Sequence, residues 1–103
     1  MEEFIRSRVS QLRIQKGVSA REMSLSLGQN EAYINQIENG KMLPSLQGLT
    51  YICDYLGITL HQFFDEENIA PNQIDEIVKD LKKLDTEALA HVAAVVKAFI
   101  PKA

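Results

Sequence analysis

Residues 19–44 read SAREMSLSLGQNEAYINQIENGKMLP, and this stretch decides the fold. It divides at Gly28 into two short amphipathic segments. Met23 and Leu27 give the first segment one apolar face, and Ile34 and Ile37 give the second another. Gly28 supplies the turn between them, where a Cβ would clash or demand an unfavourable φ. Ser19 followed by Glu22 predicts a capping box that opens the first helix. Asn30 is the expected N-cap of the second, with Glu31 in its first turn, where a carboxylate suits the helix dipole. Gly40, Lys41 and Pro44 supply the stop.

Working outward, Ile5, Val9 and Leu12 recur at i, i+4 and i+7, which predicts a helix over residues 2–16 with Gly17 behind it and Phe4 and Ile14 flanking the stripe. Ser45 predicts a fourth helix through Leu46, Leu49, Ile52, Cys53 and Leu56 to Gly57, and Thr59 caps a short fifth one in which Leu60, Phe63 and Phe64 close the domain. Tyr51 and Tyr55 fall at the margin. Residues 65–71, DEENIAP, read as an acidic linker ending in proline. Beyond it Ile74, Ile77, Val78, Leu81 and Leu84 predict a helix starting at Asn72. Asp85 caps a last helix carrying Leu89, Val92, Val95, Val96 and Phe99 and stopped by Pro101. Strand signals are absent, so the expected fold is all-α: five helices over residues 1–64, the linker, and a two-helix C-terminal extension over residues 72–103.

At 103 residues the chain is expected to close a core without metal or disulfide. Its single cysteine, Cys53, sits at helical spacing among apolar residues and reads as a buried structural thiol, which also fits a reducing compartment. No apolar run approaches the roughly 20 residues of a membrane span, and MEEFIRSR has no signal-peptide core, so the expected location is cytoplasmic. The formal charge of −3 lies wholly in the tail: residues 1–64 balance six basic against six acidic side chains, whereas residues 65–103 set five against eight. Four of the six front basic residues, Arg6, Arg8, Arg13 and Lys16, fall in the first helix. Local distribution outweighs the sum when phosphate is the partner.

The run from Ile5 to Phe64 resembles the Cro and cI repressor type of helix-turn-helix domain, the lambda-repressor-like XRE family. Arg13, Ser19, Gly28, the run YINQIENGK and Pro44 fall in the family's order. The resemblance implies a five-helix DNA-binding domain whose second motif helix enters the major groove while the first crosses the backbone. By position, Asn30, Glu31, Ala32, Asn35 and Gln36 would face bases, Tyr33, Asn39 and Lys41 would help hold phosphates, and Arg21 belongs to the same DNA-binding set. Gln36 and Asn35 each offer a donor and an acceptor to adenine. The resemblance also implies a partly buried ion pair between Arg13 and Glu38. Three positions depart from the family pattern: Ala20 replaces a phosphate-touching glutamine, Glu31 brings a carboxylate to a base-reading place, and Gln29 replaces an apolar residue.

His61 and His91 stand alone, so no metal site is expected, and the Ser and Glu residues at helix starts are explained by capping rather than catalysis. Two functions remain. The first is sequence-specific double-stranded DNA binding as a transcriptional repressor, with no cofactor. The second is a protein-interaction module, an antitoxin or adaptor that keeps the fold. The apolar stripe of the extension is expected to join two copies into a homodimer reading a palindrome.

Overall fold

A computed structural model describes residues 1–101; Lys102 and Ala103, the last two residues of the expected extension, lie outside the described residues. The described residues form seven helices and no strand: α1 (Glu2–Lys16), α2 (Ala20–Ser26), α3 (Tyr33–Glu38), α4 (Leu46–Leu56), α5 (Leu60–Phe64), α6 (Pro71–Leu81) and α7 (Thr86–Phe99). They fall into two compact units, Met1–Asn72 and Gln73–Ala103.

In the first unit, the apolar stripes meet in one core of Val9, Leu12, Met23, Ile34, Ile37, Leu49, Ile52, Cys53, Leu56, Ile58 and Phe63. Side-chain caps define the helix starts: Ser19 Oγ accepts from the Glu22 N–H at 3.0 Å, and Ser45 Oγ accepts from that of Gly48 at 3.0 Å. The reciprocal capping box forms at Thr59 and Gln62. Phe4 stacks on Phe64 and meets Phe63 edge-on, so this off-stripe residue of α1 seals the end of α5. Leu46, expected on the inner face of α4, is exposed, because the first residue of that helix lies outside the apolar arc.

The segment expected as a linker belongs to the first unit. Arg8 is buried on α1 and donates to the carbonyl oxygens of Phe63 (2.8 Å), Gln62 (2.7 Å), Asp65 (3.2 Å) and Asn68 (2.7 Å). Gln15 donates to the Ile69 carbonyl, and Asn72 to that of Leu56. The acidic side chains of DEENIAP look solvated from sequence, but the backbone carbonyls of this segment are claimed by polar side chains of the domain. α6 starts at Pro71 rather than Asn72, since proline is preorganised for the first helical position and lacks only an N–H that would be unbonded there.

The second unit is built otherwise. Asp85 Oδ1 accepts from the Ala88 N–H at 2.8 Å and caps α7, but no side chain from residue 73 to residue 101 is buried.

Candidate nucleic-acid interface

Gly28 turns the chain from α2 toward α3 with φ +72°, in the left-handed region that side chains avoid. The expected start of the second motif helix moves. Asn30 is not its N-cap and Glu31 is not in its first turn: α3 begins at Tyr33, with Ala32 at the cap position. Asn30 instead closes a turn ahead of the helix, its Oδ1 accepting from the Ala32 N–H at 2.8 Å and its carbonyl from the Tyr33 N–H. An Asx turn of this kind competes with helical continuation, which is why the helix starts late.

The cap comes from the other helix of the motif. Ser24 is fully buried on α2; its hydroxyl donates to the Ala20 carbonyl at 2.7 Å and accepts from the Ile34 N–H at 2.9 Å. One hydroxyl thus pins the first turn of α3 onto α2 and fixes the angle between them. The signal was in the pattern, because Ala20, Met23, Ser24 and Leu27 stand at i, i+3, i+4 and i+7, so Ser24 lies on the inward stripe where a hydroxyl requires a partner.

At the other end of α3, Glu38 receives Arg13 in a two-pronged contact, Nε at 2.7 Å and Nη2 at 2.9 Å, while Arg13 Nη1 donates to the Val18 carbonyl. The two side chains are 17% and 12% exposed, and the hydrogen bonds to Glu38 push the Arg13 guanidinium above its ordinary value. Gly40 follows with φ +76° and a second constraint: a Cβ there would fall 2.5 Å from Arg6 Nη1. Arg6 therefore rests against the backbone just before Lys41.

Between these fixed ends the face of α3 is sorted. Ile34 and Ile37 are buried, whereas Asn35, Gln36, Asn39 and Lys41 are exposed, as are Asn30 and Glu31 in the preceding turn; Ala32 is half-buried. Tyr33, expected among the phosphate contacts, is half-buried. It packs against the core, burial raises its phenol above the ordinary value, and its hydroxyl lies so near Gly48 that a Cβ there would sit 2.9 Å from it. Arg21 reaches across from α2 to Glu31, Nη2 to Oε2 at 3.2 Å.

The basic character of α1 shrinks on folding. Arg8 is spent on carbonyls and Arg13 on Glu38, and Lys16 stands over the Tyr55 ring with its Nζ 4.9 Å from the centroid. Desolvation draws the Arg8 guanidinium below its ordinary value, with Asp65 opposing the shift. Among the described residues no group of three or more His, Cys, Asp or Glu side chains could hold a metal ion, and no helix is long and apolar enough to cross a membrane.

Two short helices set around a glycine turn, the second with its apolar side buried and its polar side free, form a helix-turn-helix motif. A family model described as Helix-turn-helix matches residues 9–63, more than half of the chain. The chain belongs to the Cro/cI-like helix-turn-helix family. The domain is thus the lambda-repressor-like all-α fold of a DNA-binding, regulatory family, with DNA as the partner that membership implies. Curated proteins and solved structures give no match.

Proposed function

We propose that this helix-turn-helix protein is a transcriptional repressor that binds a palindromic double-stranded site as a homodimer. The observation that supports this best is the sorting of α3, with Ile34 and Ile37 committed to the core and Asn35 and Gln36 exposed on a scaffold pinned at both ends by Ser24 and Glu38. A reading helix needs that combination, because base contacts discriminate only when the side chains are held in register. In this reading α3 lies in the major groove. Asn30, Glu31, Ala32, Asn35 and Gln36 face the bases, and Tyr33, Asn39 and Lys41 hold the phosphates with Arg21 on the same surface.

The homodimer rests on the second unit. Ile74, Ile77, Val78, Val95, Val96 and Phe99 are all at least 40% exposed. Apolar side chains left open at helical spacing call for a covering surface. A second copy is the occupant that suits the task, since one domain reads only a few base pairs and a two-fold pair sets two reading helices one DNA turn apart, roughly 34 to 36 Å. The acidic side chains of the hairpin face outward in this arrangement and keep it off the duplex.

Selection of bound sequences from a random duplex pool tests the reading, followed by affinity against salt on the selected site. A two-fold motif is expected, with log K falling linearly in log salt by about 0.9 per phosphate neutralised. Sedimentation of the full chain should give a dimer, and a chain stopped after Asn72 a monomer. A full-length protein that ignores duplex DNA even at low salt but binds a protein saturably belongs instead to the interaction-module class.

A further inference from the structure

Most of the reading surface is amide: Asn30, Asn35 and Gln36. Glu31 is the one charged side chain in that base-facing set, a carboxylate placed where DNA phosphate should repel it. It does not stand alone. Arg21 from the first turn of α2 meets it through a single contact, Nη2 to Oε2 at 3.2 Å, with the two side chains 70% and 60% exposed. Beside them Ala20, Ala32 and Asn35 line a shallow open depression, where two methyl groups leave room that longer side chains would fill.

Stability gives little reason for such a pair, because exposed ion pairs contribute almost nothing to folding. Its chemistry is better suited to a base pair. Because the ion pair engages one oxygen of Glu31, the other carboxylate oxygen is left as an acceptor, beside a guanidinium whose N–H groups all donate. We propose that Arg21 and Glu31 act as one reading unit that selects a C·G base pair in each half-site. Glu31 accepts from the cytosine N4 amino group, and Arg21 donates to guanine O6 and N7 of the same pair.

The major-groove edge of C·G offers a donor next to two acceptors, the complement of what this pair presents. Reversing it to G·C sets the carboxylate against O6 and N7, acceptor on acceptor. An A·T pair still offers the adenine amino group, but it replaces the two guanine acceptors that a guanidinium grips with one thymine oxygen and a methyl group. The ion pair also removes the cost of bringing a carboxylate to DNA, since Arg21 supplies the opposite charge at the point of contact.

This inference rests on the DNA-binding reading above, and the test separates the two. The full-length protein is first used to select a motif, and its affinity is then measured by anisotropy on duplexes carrying each of the four base pairs at every selected position. One position per half-site should prefer C·G by about ten- to a hundredfold. Glu31→Ala should level that position and leave the others as they were. Arg21→Ala should level it too, and the double variant should do no more than either single one. Because the pair is exposed, all three variants should melt with wild-type cooperativity, so a loss of discrimination cannot be charged to unfolding. A selected motif on which Glu31→Ala keeps every preference, or single-variant effects that multiply in the double variant, overturns the reading unit while DNA binding stands. A wild-type chain without salt-dependent duplex binding overturns both.

Discussion

The two units of this chain use the same apolar periodicity to opposite ends. In the first, the stripes of α1 to α5 converge, and Val9, Met23, Ile34, Ile52 and Phe63 lose all contact with solvent. In the second, Ile74, Ile77 and Val78 on α6 and Val95, Val96 and Phe99 on α7 are as regularly spaced and remain exposed. A 3.6-residue stripe therefore says that a face is to be covered but not by what. Five helices supply enough facing surface to close on themselves; two do not, and the shortfall is what the proposed second copy makes good.

The largest difference between the units should appear on cutting one ring from each. Phe63→Ala removes a fully buried side chain and should destabilise the first unit by about 3 to 5 kcal/mol in urea unfolding. Phe99 is 82% exposed, and Phe99→Ala should leave that transition in place at low protein concentration while weakening self-association in sedimentation. A Phe99 variant that unfolds the first unit would mean that the two units are not independent.

Ion pairs sharpen the contrast next. Arg13 and Glu38 are two-pronged and largely out of water, so Glu38→Ala leaves a guanidinium partly buried without its partner and should cost about 3 kcal/mol. Lys83 and Asp80 on the second unit touch at 3.4 Å in the open, and Asp80→Ala should change stability by less than about 0.5 kcal/mol. Equal effects at the two sites, measured by denaturant midpoints, would show that burial is not what distinguishes them.

Helix caps follow. Ser24→Ala leaves the buried Ile34 N–H without an acceptor and should cost about 2 kcal/mol, loosening α3 on α2 and with it base discrimination. Asp85→Ala uncaps α7 at the surface and should cost about 1 kcal/mol, without touching discrimination on DNA. Melting curves and anisotropy on the selected site read both.

Sequence pattern made most of the fold legible, because each helix of the first unit has an apolar stripe and most have a cap or a terminal glycine that can be read locally. The two features it passed over share one cause. Arg8 completes Ile5, Val9 and Leu12 at the i+3 place, as Ser24 completes Ala20, Met23 and Leu27 at the i+4 place, so each polar residue sits on an inward stripe where an apolar one was awaited. Their partners lie far away in sequence, at residues 62–68 for Arg8 and at Ile34 for Ser24, and no local rule names them. The late start of α3 has the opposite origin: a purely local Asx turn at Asn30 took precedence over the dipole and cap signals of Asn30 and Glu31. At the candidate site the exposed polar residues could be enumerated by position, but the pairing of Arg21 with Glu31 depends on how α2 and the turn are set together, which only the fold supplies.

A pH limb at Cys53 is the last contrast, one that belongs to the first unit. Cys53, the one cysteine of the chain, is buried on α4, and burial, with Asp54 adding to it, pushes its thiol up from 9.0 to about 11. The folded state therefore holds the proton more tightly than the unfolded chain, so the contribution of the thiol to stability is complete below pH 9 and is lost as the pH rises toward 11. At pH 10 the loss relative to pH 7 should be about 1 kcal/mol, since each tenfold difference in proton affinity between the two states is worth about 1.4 kcal/mol. Burial raises the Tyr33 phenol in the same direction, so the quantity to measure is the difference between wild type and Cys53→Ala from about pH 7 to pH 10.5. The variant should be less stable by a constant amount up to about pH 9, from the small cavity it creates, and the gap should narrow above that. A gap that stays constant across the whole range would mean that the thiol ionises no later in the fold than out of it, and that the core around α4 admits water.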